Sequence, residues 1–336
     1  MLWTDWYPFR LSAGSYHDLV EMRSAWLKWA RAVEHQQVLS RSIREYLAED
    51  PFQYVRWDNA SDVTDPLIRM QWRLKITKPF PESWGVLLGD VLTNLRAALD
   101  HTMWTAVLNH SGPPVKPNQV QFPVAKKEAA FKDAAGKLRT LVAPEVWAVI
   151  DALQPFRGGD RAHTAPLEIV RWLSNMDKHR SLRFVVLASI DLMPVHITSD
   201  APVEVIEERR HEGPIEGDNK TLLFLKIKRP LGNAPIDLAP TFGFSPSLQI
   251  SEEPVEFRPL ASAMPIMTET VLKVIASVTS ALGLPIPDGH GLQLGHEHEG
   301  VAAELSGDTY TFRNADGTIH RFDLSSPDLG ESDSPS

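Results

Sequence analysis

Two short stretches hold the residues whose types and spacing could do chemistry. The first, Gly89 to His110, reads GDVLTNLRAALDHTMWTAVLNH and carries Asp90, Asn94, Arg96 and His101. Histidine ionises nearest neutrality, so His101 is the candidate acid/base, with Asp90 or Asn94 orienting its ring. Arg96 stands in the same stretch, on its flank. These four form the candidate catalytic set. The second stretch, NMDKHR, packs Asn175, Asp177, Lys178, His179 and Arg180 into six residues as candidate substrate-binding groups. Basic side chains at a helix C-terminus also suit the dipole and its free carbonyls, which accounts for Lys178 and Arg180 without a ligand. Asn175 and Asp177 need another reason, either a binding site or a structural hydrogen-bond network.

The spacing of the first stretch dictates a helix over 82–110. At about 100° per residue, Leu88, Val91, Leu92, Leu95, Leu99, Thr102, Met103 and Ala106 form one apolar stripe. Asp90, Asn94 and His101 fall within about 40° of one another on the opposite side, while Arg96 lies roughly 140° from His101. An Arg–His site would therefore need a second subunit or a bend. The alternative for the row is a solvated outer face carrying ordinary polar residues.

The elements that must position these groups follow in chain order. Residues 14–49 carry apolar residues at helical spacing, and Asp50-Pro51 ends that helix. FQYVRWD (52–58) and PLIRMQWRLKI (66–76) alternate in polarity and predict a hairpin. Helices are expected over 126–139, 144–153 and 166–177, with a loop at 154–166. Strand-like runs follow at 182–190, 193–198, 202–209, 221–228 and 247–258, then a helix over 260–282. TYTFRNADGTIHRFD (309–323) is a further hairpin signal, with Asp-Gly between alternating runs. The implied fold is α+β. A helical domain over 14–181 includes the hairpin 52–76, an antiparallel β region over 182–258 is inserted, and a helix over 259–283 returns to the bundle. Residues 284–336 form a flexible acidic tail. Of the ten tryptophans, Trp26, Trp29, Trp72, Trp104, Trp147 and Trp172 sit at expected core positions.

Composition removes several classes of function. The chain has no cysteine, which excludes disulfides, thiolate metal sites and cysteine nucleophiles and fits a reducing, cytoplasmic setting. Its start, MLWTDWYPFRLSAG, lacks the pattern of a secretory signal, and no uninterrupted apolar run is expected to span a bilayer. No phosphate-cradling GxxxxGK[ST], dinucleotide fingerprint, HExxH or GxSxG occurs. His290, His296 and His298 with Glu297 and Glu299 alternate, which is not the i,i+4 spacing of a helical zinc pair. No resident metal and no cofactor is expected. The net charge of −9 is uneven: residues 284–336 hold ten Asp/Glu against two Lys/Arg, whereas 126–183 hold eleven Lys/Arg against seven Asp/Glu. A local basic surface therefore remains available for an anionic partner.

The ordered motifs resemble a group of bacterial proteins, frequent in actinobacteria, that shares four elements. These are GDxxxNLRxALDH (here Gly89 to His101), FP[VI] (Phe122-Pro123-Val124), QP[FY] (Gln154-Pro155-Phe156) and NxDKHR (Asn175 to Arg180). The resemblance covers about residues 30–185 and implies a shared fold without implying an activity. Arg96 and His101, with four residues between them, also resemble the motif of HEPN domains, helical bundles that often act as metal-independent ribonucleases. That resemblance implies RNA as partner, a homodimer, and Arg96 and His101 acting on the scissile phosphate and the ribose 2′-hydroxyl. The chain departs from the pattern at Ala97, where Asn, Asp or His is usual. The competing expectation is a non-enzymatic scaffold whose polar motifs join helices to sheet.

Overall fold

The computed structural model describes residues 21–190, 197–198, 202–233, 236–238 and 240–287, together with the backbone of three strands between 302 and 323. Among these residues are six α-helices: α1 (Arg23–Ala48), α2 (Ser83–Ser111), α3 (Glu128–Leu138), α4 (Pro144–Ala152), α5 (Pro166–His179) and α6 (Leu260–Ala281). Proline opens α4 and α5 at the first turn, where a missing N–H costs nothing. The strands are β1 (Phe52–Asp58), β2 (Leu67–Ile76), β3 (Phe184–Ile190), β4 (Ile197–Thr198), β5 (Glu204–Arg210), β6 (Pro214–Ile215) and β7 (Thr221–Lys228). They continue with β8 (Asp237–Leu238), β9 (Phe242–Ser251), β10 (Glu256–Pro259), β11 (Ala302–Ser306), β12 (Thr309–Arg313) and β13 (Ile319–Asp323). The α+β class expected from the pattern is the class observed.

Helix α6 is long and apolar enough to cross a membrane by length and composition. It lies instead at the centre of the bundle, with Met264, Met267, Val271, Leu272, Ile275 and Val278 buried. A broad apolar face is what packing against α1, α2, α4 and α5 requires. Trp29 on α1 donates its indole N–H to the Thr268 carbonyl of α6 at 2.9 Å, satisfying a polar atom that burial would otherwise strand. Trp84 on α2 reaches Ser42 Oγ at 2.9 Å in the same way. Trp26, Trp29, Trp72 and Trp147 are buried as expected, and Trp104 and Trp172 pack partly buried against the same core.

The sheets differ from expectation in one instructive respect. The hairpin β1–β2 is not an appendage of the helical region, because β2 pairs antiparallel with β7 and β7 with β5, giving one sheet in the order β1-β2-β7-β5. A lone two-stranded hairpin would leave Ile68, Met70 and Trp72 in water. Pairing with β7 instead buries them against Leu223, Leu225 and Ile227 in a second, smaller core. A second sheet runs β10-β9-β3-β6. The single strand expected over 247–258 is two, β9 and β10, separated by a turn at 252–255 that holds a cis Glu253-Pro254 bond. The loop expected at 154–166 is folded into 3-10 turns over Pro155–Thr164. The hairpin expected over 309–323 corresponds to β12 and β13, with β11 adding a third strand. The histidines His290, His296 and His298 lie outside the described residues, as do 14–20 of the first expected helix.

Candidate functional site

Helix α2 presents its polar residues to three different neighbours. The Asp90–Asn94–His101 row borders the seam with α1. His35 Nδ1 of α1 stands 3.9 Å from Asp90 Oδ2. At the other end of the row His101 meets Ser24 and Lys28: the ring hydrogen-bonds the Ser24 backbone, and its Nδ1 is buried without a partner. Burial, then the Lys28 charge, hold the His101 pKa below the ordinary histidine value, which favours the neutral ring. Asn94 turns back along its own helix and donates to the Asp90 carbonyl at 2.9 Å, so it does not orient His101.

Arg96 points elsewhere, as the helical wheel requires. Its Nε and Nη2 bond Asp100 at 3.3 and 2.8 Å, and Nη2 also donates to the Phe122 carbonyl at 2.8 Å. Asp100 Oδ1 in turn accepts the Phe122 N–H at 2.9 Å. One Arg–Asp pair thus clamps both polar groups of a single peptide residue, and the FPV segment is held against α2. Gln154 completes the frame from the other side. Fully buried, it accepts the Ala125 N–H at 3.0 Å and donates to the carbonyls of Pro123 at 2.9 Å and Ile150 at 3.0 Å. Three of the four sequence motifs are therefore parts of one hydrogen-bonded structure. Asp100 was legible as an i,i+4 partner of Arg96; the role of Gln154 had no local signal.

The NMDKHR motif is divided between two faces of α5. Asn175 and Lys178 line a cleft of about 470 Å³ together with Arg96, Asp100, Lys137 and Arg171. Arg171 is held by Glu168, which is buried and accepts from Nε at 2.7 Å and Nη2 at 2.5 Å. That bidentate bond raises the Arg171 pKa and fixes the plane of the guanidinium. In both Arg96 and Arg171 the bonds engage Nε and Nη2, leaving Nη1 uncommitted among the described residues. The cleft lining counts four cations, Arg96, Lys137, Arg171 and Lys178, against two carboxylates, Asp100 and Asp133.

Asp177 and Arg180 open on a different groove, beside Phe80, Val86 and Phe184. The Asp177 carboxylate lies on the bare Cα of Gly89, and both that burial and the nearby Asp90 raise its pKa. The His179 side chain lies outside the described residues. A Cβ at position 89 would stand 2.7 and 2.8 Å from the two Asp177 oxygens. In an ordinary helix Gly→Ala gains about 1 kcal/mol. Here the added methyl must displace the Asp177 carboxylate, the free end of a short side chain bordering a groove, so Gly89→Ala is expected to gain less than that, roughly 0–0.5 kcal/mol. Thermal melts check the size, and adding Asp177→Ala to Gly89→Ala should restore the full gain.

The structure thus brings Arg96, Asn175 and Lys178 to one cleft and Asp90 towards Asp177. It does not bring His101 to Arg96. Among the described residues no group of three His, Asp or Glu side chains is placed to hold a metal ion. Comparison with models of protein families, with curated proteins and with solved structures gives no match.

Proposed function

We propose that the protein is a binding protein rather than a nuclease, and that the motif residues build a rigid frame around a cleft for a small phosphate-bearing ligand. One observation carries this reading: Arg96 is committed to Asp100 and the Phe122 carbonyl, on a different side of α2 from His101. An RNA-cleaving Arg–His pair would have to act on a single phosphate, so within one chain these two side chains cannot serve together; only a second copy could supply the missing member. The cleft has the size of small-molecule sites. Its arginines are oriented by carboxylates before any ligand arrives, which lowers the ordering cost of binding. Lys137 and Lys178, exposed on its rim, add charge without fixed geometry.

Calorimetric titration with adenosine monophosphate and with inorganic phosphate tests this. Replacing Lys137 and Lys178 together by alanine should weaken binding by about tenfold, the equivalent of about 1.4 kcal/mol. His101→Ala should leave affinity unchanged. Absence of binding by either ligand would remove the proposal. A labelled RNA shortened by the wild type and spared by His101→Ala would establish cleavage, and with it the homodimeric ribonuclease reading.

A further inference from the structure

The sheet β1-β2-β7-β5 has a second face. Its inner face is the apolar one, carrying Ile68, Met70, Trp72, Leu223, Leu225 and Ile227. Strand alternation sends the intervening residues outward. Across all four strands the register sets Trp57, Gln71, Phe224 and Arg209 in one row, since Trp57 pairs with Gln71, Gln71 with Phe224 and Phe224 with Arg209. On one side of this row Arg69, Lys226 and Glu207 align; on the other, Val55 lies opposite Arg73 and Gln53 opposite Lys75.

An edge strand ordinarily carries charge where it meets solvent. β1 instead exposes Trp57 at 54% and Val55 at 53%. Neither is covered by any of the described residues, and both stand among cations. The outward set holds Arg69, Arg73, Lys75, Lys226, Lys228 and Arg209 against the carboxylates Glu204 and Glu207. Glu204 is paired with Lys228 at 3.1 Å and Glu207 with Arg209 at 2.9 Å. Arg69 is held by Asp65 at 2.6 Å. Arg73, Lys75 and Lys226 have no ion pair among the described residues, Arg73 bonding only the Gln71 amide at 2.9 and 3.2 Å. The Arg209 guanidinium lies over the buried Phe224 ring at 4.5 Å, so the second flat surface the face presents is the exposed guanidinium plane itself.

We propose that this face binds single-stranded nucleic acid, with bases stacking on Trp57 and on the Arg209 guanidinium that Phe224 backs, and phosphates on Arg73, Lys75 and Lys226. Trp57 and Phe224 are two strands apart, about 10 Å, which separates two stacking positions without overlap. Flat π surfaces interleaved with cations suit a polyanion whose bases are unpaired; a duplex keeps its bases stacked and out of reach. A second copy of the same face is disfavoured, because six cations against two carboxylates would meet their like. The site is separate from the helical cleft and uses none of its residues.

The test is fluorescence anisotropy of the full chain with labelled 12-nucleotide oligouridylate and oligothymidylate, and with a duplex of equal length. The expected result is binding of the single strands over the duplex. Trp57→Ala should weaken it by roughly tenfold or more. Arg73→Ala with Lys75→Ala should make the slope of log affinity against log salt shallower by about 1.4, two phosphate contacts' worth. Both variants alter exposed side chains, and melting curves matching the wild type show that folding is intact. Lys178→Ala should bind the oligonucleotides as the wild type does, so failure of the cleft proposal and failure of this one are distinguishable. Equal affinity of Trp57→Ala and wild type, or equal binding of duplex and single strand, would overturn the proposal. So would concentration-dependent self-association that Trp57→Ala abolishes, which would make the face an interface between copies.

Discussion

Gln154→Leu is expected to lower the unfolding free energy by about 3–5 kcal/mol, although the substitution nearly conserves volume and adds apolar surface to a buried position. The reason lies in what the side chain leaves behind. Its amide satisfies the Ala125 N–H and the carbonyls of Pro123 and Ile150, which belong to segments separated by a helix and a loop. Leucine strands all three, and each orphaned buried group costs about 1–3 kcal/mol. Gln154→Glu should fall between, since at a fully buried position the acid takes up a proton and, neutral, accepts from Ala125 while donating to one carbonyl instead of two. Urea unfolding checks this: the midpoint should fall while the slope against denaturant stays constant. Wild-type stability in Gln154→Leu would mean that the 123–125 segment is held by something other than this frame.

Asp100→Ala should cost about 2–3 kcal/mol, and Arg96→Ala a similar amount, but the two together less than their sum. Either single change leaves the other ion without its partner and one polar group of Phe122 without its bond. Removing both leaves no unpaired charge. The pair is only partly shielded, with side chains 20% and 29% exposed, so the full penalty of a dry ion pair does not apply. A double-mutant cycle should return a coupling of about 1–3 kcal/mol. The same variants report on the cleft. Asp100→Ala makes its lining more positive and yet frees Arg96, so phosphate affinity should fall if orientation of the guanidinium governs binding and rise if net charge does. The rigid-frame reading requires a fall.

Local pattern determined a good deal of this protein by itself. The 3.6-residue period of Leu88, Val91, Leu92, Leu95 and Leu99 defines a helix wherever the stripe is buried, and that helix runs Ser83–Ser111. Alternation set β2 with its even-numbered residues inward, and fixed-φ prolines marked the starts of α4 and α5. The same helical arithmetic already put Arg96 and His101 on different sides of α2. Periodicity says which side of an element is apolar; it carries no information about what lies against the other side. That is why the Asp90–Asn94–His101 row could not be assigned to the α1 seam, nor the NMDKHR motif divided between a cleft and a groove. The Phe122 backbone, 26 residues beyond Arg96, became its partner only because folding brought that segment across α2. Likewise β2 and β7 pair across some 150 positions, with Arg73 opposite Thr221, because each has an apolar face that neither can bury alone. Tertiary structure decided where Arg96, Arg171 and Lys178 meet, since a site made of charges needs carboxylates and carbonyls from distant segments to hold it in place.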